Sequence, residues 1–229
     1  MKKFFASAIL TAAVILTSPA FCAAASDISL PAPSITRTKS LGEVMRERQS
    51  SRDIYGEPLT KQELSNILWA ANGITKRFNG TEGHVNPAAL GIYAVDVYAV
   101  TAEGIYLYQP EKNKLKLITE GDFRAVTTSA RHPQDFAINA PLNLVYVENS
   151  DAWKKSNHPV NAERQAAFAN IAAGAMCQSV ALMAHNHGYG NCVRGSVDTD
   201  AFTKAAKLTS NQKILFAQSV GDSHNVAKG

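Results

Sequence analysis

The segment Arg48-Gln49-Ser50-Ser51-Arg52-Asp53 concentrates the chemistry-bearing side chains of this sequence. Two guanidiniums and two hydroxyls stand together where a short helix is expected to end and the chain turns toward Pro58. A guanidinium donates two parallel, charge-assisted hydrogen bonds to a phosphate, and a nearby hydroxyl adds a further donor. The same residues also read as a solvated charged turn, and composition alone favours that plainer reading. The sequence contains no G-x-S-x-G, Walker, H-E-x-x-H or G-x-G-x-x-G pattern. His185-x-His187 lacks a companion cluster of metal ligands and reads as polar residues at a helix end. Asn79-Gly80-Thr81 matches a glycosylation acceptor only as many chance triplets do.

The elements that must position these groups follow from local signals. Ser40 to Glu43 and Thr60 to Glu63 are S/T-x-x-E capping boxes, so helices are expected from there to about Gln49 and to about Ala71, the second stopped by Asn72-Gly73. Residues 73–89 read as a polar loop. Ile92–Val100, Ile105–Tyr108 and Leu115–Ile118 read as an antiparallel meander. Helix is expected over Gly121–Arg131, strand over Leu142–Val147, and a long helix from Asn161 to about His185. A strand over Cys192–Val197, a helix capped by Asp198 and a strand over Ile214–Val220 complete the chain. This mixed order predicts an α+β fold, a mainly antiparallel sheet flanked by helices with one long central helix. That helix is rich in small residues (Ala166, Ala167, Ala169, Ala172, Ala173, Gly174, Ala175, Ser179), which suits close packing, including at a subunit interface. Mid-helix Gly174 costs about 1 kcal/mol relative to Ala, so helix propensity does not explain it.

The chain has 229 residues, 45% of them apolar and 18% charged, with a net charge of +4. Those figures fit one well-filled domain and exclude collagen-like and disordered classes. The charge is too mild and scattered to indicate a nucleic-acid partner. Lys2-Lys3, the apolar run Phe4 to Leu16 and Ala23-Ala24-Ala25 form a Sec-type signal peptide over residues 1–25, too short for a stable membrane anchor. Cleavage there leaves a single domain over 26–229, whose first stretch, 26–39, reads as an extended arm, and halves the net charge. The expected location is periplasmic or secreted. Cys177 and Cys192 then remain in a compartment that permits disulfides, and they are expected to stay unpaired.

Four stretches, in order and spanning essentially the whole mature chain, resemble the nitroreductase-like flavoproteins, nearest to their thiazoline-oxidase branch. They are Arg48 to Ile54 with Gly56-Glu57-Pro58-Leu59; Asn86 to Tyr93; Gln134 ahead of Ala140-Pro141; and Gly188-Tyr189-Gly190-Asn191-Cys192-Val193-Arg194-Gly195. The resemblance implies a nitroreductase-like fold and a homodimer binding FMN at the subunit interface. Arg48, Gln49 and Ser50 would lie at the FMN phosphate and ribityl chain, with Arg52 near the pyrimidine edge. Gln134 would hydrogen-bond the amide edge of the ring. Arg194 and Gly195 would bring backbone N–H groups toward ring N5 and O4, with Val193 also among the cofactor-binding residues. Pro87, Ala88 and Ala89 would come from the partner subunit, and Lys228 is the one candidate for the family's C-terminal basic residue.

The sequence departs from the branch pattern at Gln49, for an Arg; Ile54, for an aromatic residue; Ala88, for a Ser; and Leu90, for a Gly. The implied activity is hydride transfer through flavin N5 from a small-molecule donor to a small electron-poor acceptor, with no catalytic side chain required. The alternatives are an exported flavin- or ligand-binding protein on the same fold that has lost catalysis, and a secreted interaction protein with an empty cleft.

Overall fold

The computed structural model describes residues 25–36, 39–76, 79–157 and 159–226. The expected signal peptide up to Ala24, and Lys228, lie outside the described residues.

Seven strands form an entirely antiparallel sheet: β1 (Ile28–Ser29), β4 (Val95–Val100), β5 (Gly104–Gln109), β6 (Lys114–Glu120), β7 (Leu142–Asn149), β8 (Gly190–Arg194) and β9 (Gln212–Gly221). Their order is β1-β6-β5-β4-β7-β9-β8, so β8 is an edge strand. The central strands are buried on both sides, and alternate residues serve opposite layers. Leu142, Leu144 and Tyr146 of β7 pack toward the long helix α4 (Ala162–Asn186) and α2 (Lys61–Asn72). Val145 and Val147 of the same strand meet Phe202 of α5 (Thr199–Ala205) on the other side. This is the expected α+β architecture.

Both capping boxes form. Ser40 and Glu43 close the start of α1 (Leu41–Glu47), and Thr60 and Glu63 do the same for α2. Asn161 and Asp198 accept from Arg164 N and Ala201 N, at 2.9 and 3.0 Å, as N-caps of α4 and α5.

Several expected spans differ. The helix expected over Gly121–Arg131 is only a single 3-10 turn, Arg124–Thr127. Asp122 Oδ1 accepts from Arg124 N at 3.1 Å, and Thr127 Oγ1 donates back to Arg124 O at 2.7 Å, so local side chains take the groups a longer helix needs. A short helix, α3 (Asp135–Asn139), starts instead after Pro133. The polar loop 73–89 holds a hairpin, β2 (Ile74–Lys76) with β3 (Glu82–His84). The arm contributes β1, fixed to β6 by pairing of Ile28 with Leu115 and by Lys114–Asp27 at 2.7 Å. The strand expected over Cys192–Val197 lies earlier, because Gly190 and Asn191 already pair with Gly221 and Val220.

The small residues of α4 divide between two faces. Ala169, Ala172 and Ala173 are buried against the sheet, whereas Ala167 and Gly174 lie on an exposed stripe with Ile171. A Cβ added at Gly174 would have no neighbour within 4 Å.

Cys177 and Cys192 are both buried free thiols. Burial raises the pKa of each thiol, that of Cys177 to about 12, so neither supplies thiolate near neutral pH. Both should resist a thiol reagent in the native protein and react once it is denatured. Rapid native labelling, or a mobility change on reduction, would contradict that.

Candidate functional site

The expected binding segment begins where α1 stops. Arg48, the C-cap, turns the chain into an extended conformation (φ −57°, ψ 124°) that runs along the open edge of β8. Ser50 bridges Asn191 in parallel, and Ser51 N donates to Asn191 O at 2.8 Å. Gly190 permits this approach. A Cβ there would lie 2.9 Å from Ser51 Cβ and 2.4 Å from Ser223 Cβ.

The C-terminal turn closes over the same segment. Tyr55 and Asp222 exchange backbone hydrogen bonds at 3.0 and 2.8 Å. Asp53 accepts from Ser223 Oγ at 2.8 Å and His224 N at 2.9 Å, and the Tyr55 ring stacks on His224 at 4.6 Å. Gln49 Nε2 donates to Asn225 O at 3.4 Å. None of these C-terminal partners announces itself in the sequence. They come together because β9 ends beside β8.

Arg48 is half-buried and Arg52 exposed, and among the described residues neither forms an ion pair. Ser50 is exposed. Beneath them, Ile54, Cys192 and Ala140 form a small apolar cluster against which Phe136 of α3 packs. That node joins the 48–54 segment, the edge strand and the helix headed by Gln134.

Gln134 is the N-cap residue of α3, and its backbone N donates to Thr128 Oγ1 at 3.2 Å. Thr128 O accepts from Asp198 N at 3.1 Å, and Ser129 N donates to Ser196 Oγ at 3.2 Å, so the Gln134 loop lies alongside the exit of β8. Gln134 Oε1 and Ser51 Oγ are two of the three buried side-chain polar atoms without a hydrogen-bond partner among the described residues. A buried acceptor left in that state costs about 1–3 kcal/mol unless a ligand or water satisfies it.

Along β8 the Asn191 carbonyl points outward to Ser51. Ladder alternation therefore turns the N–H and C=O of Val193 outward too, and those of Arg194 inward to β9. Val193, not Arg194, thus carries the outward backbone groups within the strand, and its side chain is 43% exposed. The Arg194 side chain is 5% exposed and points into the protein. Burial lowers its pKa to about 10, so it remains a cation at neutral pH. The Asn143 and Ser219 side chains that receive it were missed by sequence reasoning. The available signal was a fully polar residue within the apolar strand Leu142–Asn149.

One chain does not bring Pro87, Ala88 and Ala89 to this place. Asn86 anchors that stretch on Ala70 O, Ala71 O and Ser179 Oγ, at 2.7, 2.8 and 2.5 Å. Ser179 lies roughly 10 Å along α4 from the helix end that leads into β8. Leu90, where the branch pattern has Gly, adopts a left-handed conformation (φ 57°) with its side chain 61% exposed.

The nitroreductase family profile matches residues 45–222, from the end of α1 to the close of β9. The chain belongs to the nitroreductase family. A nitroreductase homologue of Methanocaldococcus jannaschii is 29% identical over 187 residues, covering 80% of this chain and 91% of the relative. The crystal structure of a homologue from Ralstonia eutropha JMP134 is 30% identical with a TM-score of 0.76, covering 87% of this chain and 90% of that one. A Desulfovibrio desulfuricans homologue crystallised with FMN shares the fold at 16% identity and TM-score 0.58, over 83% of this chain and 91% of that one. This family member therefore has the fold and the general oxidoreductase character its motifs implied.

Gly190→Ala should destabilise this nitroreductase-family chain by about 1–3 kcal/mol, because Ser51 or Ser223 must move. Chemical denaturation checks this, and an unchanged midpoint would contradict the packing described.

Proposed function

We propose that the protein is an FMN-dependent oxidoreductase, exported and homodimeric, that passes a hydride from a small-molecule donor to a small electron-poor acceptor. Gln134 Oε1 carries the reading: it is a buried acceptor with no partner among the described residues, beside an edge strand whose Val193 backbone faces outward. A flat ring with N–H donors along one edge answers both features. The residues present fit FMN.

When bound, FMN supplies hydride exchange at ring N5. Arg48 and Ser50 hold its phosphate and ribityl chain through charge-assisted hydrogen bonds, as the absence of an ion pair at Arg48 permits. Gln49 borders the same end and is itself held by Asn225. Lys228, outside the described residues, is the candidate for the family's C-terminal basic residue. Arg52 sets a positive charge near the pyrimidine edge, and Gln134 accepts from the amide edge. Val193 and Gly195 offer backbone N–H groups to the ring. No side chain is required as acid or base.

Pro87, Ala88 and Ala89 reach the ring from a second copy. The exposed stripe of α4, with Ile171 69% exposed and Gly174 uncovered, supports pairing through that helix. The sequence before Ser26 supports Sec-type export. The polypeptide that follows is secured at once, since Asp27 pairs with Lys114 at 2.7 Å and β1 joins the sheet. Protein recovered from the exporting host should begin at Ser26, and intact mass checks this. A retained residue 1–25 segment would contradict export by cleavage.

Purified protein should bind FMN, and Arg48→Ala should weaken binding by about 1.5–3 kcal/mol, the worth of a hydrogen bond to a charged group. The thermal midpoint of the apoprotein should not change, since Arg48 has no ion pair to lose. Fluorescence titration reads the first effect and calorimetry the second. Protein that ignores added FMN would overturn the reading, and FMN-loaded protein that no donor reduces would replace it with a binding role.

A further inference from the structure

Arg194 makes five hydrogen bonds inside the protein, and every acceptor is neutral. Its Nε donates to Ser219 Oγ at 3.1 Å. Nη1 donates to Thr127 O and, at 3.2 Å, to Ser196 O. Nη2 donates to Thr127 Oγ1 at 3.1 Å and Asn143 Oδ1 at 2.8 Å. All the N–H groups of the guanidinium are thereby used. Among the described residues no carboxylate pairs with it.

The hydrogen bonds are complete, but the charge is not cancelled. A buried cation without a counter-ion is costly, and that cost falls when negative charge develops nearby.

Its partners are also informative. Thr127 adjoins Thr128, whose Oγ1 accepts from Gln134 N, and Asn143 Nδ2 donates to Ala137 O of α3 at 2.8 Å. Arg194 thus grips both sides of the loop that carries Gln134. It stands on β8 next to Val193, whose backbone faces the open edge.

We infer that Arg194 is a positioning residue with an electrostatic role, holding the Gln134 loop against β8 and fixing a buried positive charge behind the ring-binding edge, so that the site favours a flavin carrying negative charge. This rests on the FMN reading above. Two electrons from the donor and one proton convert the neutral oxidised ring to the anionic reduced ring, and the uncompensated guanidinium favours that product over the starting state.

The test uses the FMN-loaded dimer and compares midpoint potentials of wild type, Arg194→Met, Arg194→Lys and Asn143→Asp. Asn143→Asp leaves the guanidinium in place and sets a carboxylate against Nη2, cancelling its charge with little change of shape, though it also removes the Asn143 Nδ2 bond to Ala137 O. It also keeps the test open if Arg194→Met fails to fold. Arg194→Met and Asn143→Asp should each lower the preference for reduced over oxidised FMN about tenfold, which is about 30 mV for a two-electron couple. Arg194→Lys, which keeps the charge, should stay near wild type. A wild-type potential in Asn143→Asp would overturn the electrostatic role while leaving FMN binding standing. Failure of the wild-type protein to bind FMN would instead overturn the functional reading itself, and this inference with it.

Discussion

The contact between Ser51 N–H and the Asn191 carbonyl, made possible by the bare α-carbon of Gly190, is the constraint on which the site depends. It sews the segment after α1 to the edge of the sheet at a distance no side chain at Gly190 would permit. Edge strands are usually protected against pairing with foreign chains. Here β8 is covered over Ser50 and Asn191, and beyond the cover the Val193 backbone faces outward. The C-terminal turn secures that cover from the other side through Asp53 and Tyr55. Two guanidiniums without an ion pair and an amide oxygen without a partner among the described residues, and an outward backbone edge, stand along one seam.

Much of this was legible where the information is local. The two capping boxes needed only four residues each, and the meander from β4 to β6 alternates apolar and turn residues strongly enough to read directly. Arg48 to Arg52 read on composition as a solvated charged turn, and it was four motifs in order that pointed to the family. What stayed hidden depends on pairing between distant parts of the chain. Nothing around Asp122 or Thr127 reveals that their side chains cut a helix down to one turn. Nothing near residue 194 reveals that its guanidinium is received by Asn143 and Ser219, because β7 and β9 meet β8 only in the folded sheet. The resemblance placed Arg194 among the ring contacts, and ladder alternation moves that outward role to Val193.

Leu90 marks where this chain differs most from the branch it resembles. A non-glycine residue in the left-handed region costs roughly 1–2 kcal/mol, and Leu90 adopts it immediately before Gly91, which has φ 68°. The backbone shape expected of a glycine is therefore retained while a large apolar side chain is added. That side chain projects from the stretch assigned to the partner's side of the cleft. Together with Ala88, which removes a hydroxyl, it makes this stretch more apolar than in the branch pattern. The same stretch is tied by Asn86 to Ser179 on α4, so the helix on which two copies would meet also fixes the geometry of the loop each would lend the other.

The most direct test is a crystal structure of the protein grown with FMN. The account predicts a dimer with the ring against the Val193 edge of β8, Gln134 Oε1 satisfied by the ring and the phosphate at Arg48. FMN lodged elsewhere, or a β8 edge covered by protein side chains with Arg48 and Arg52 directed into solvent, would contradict it.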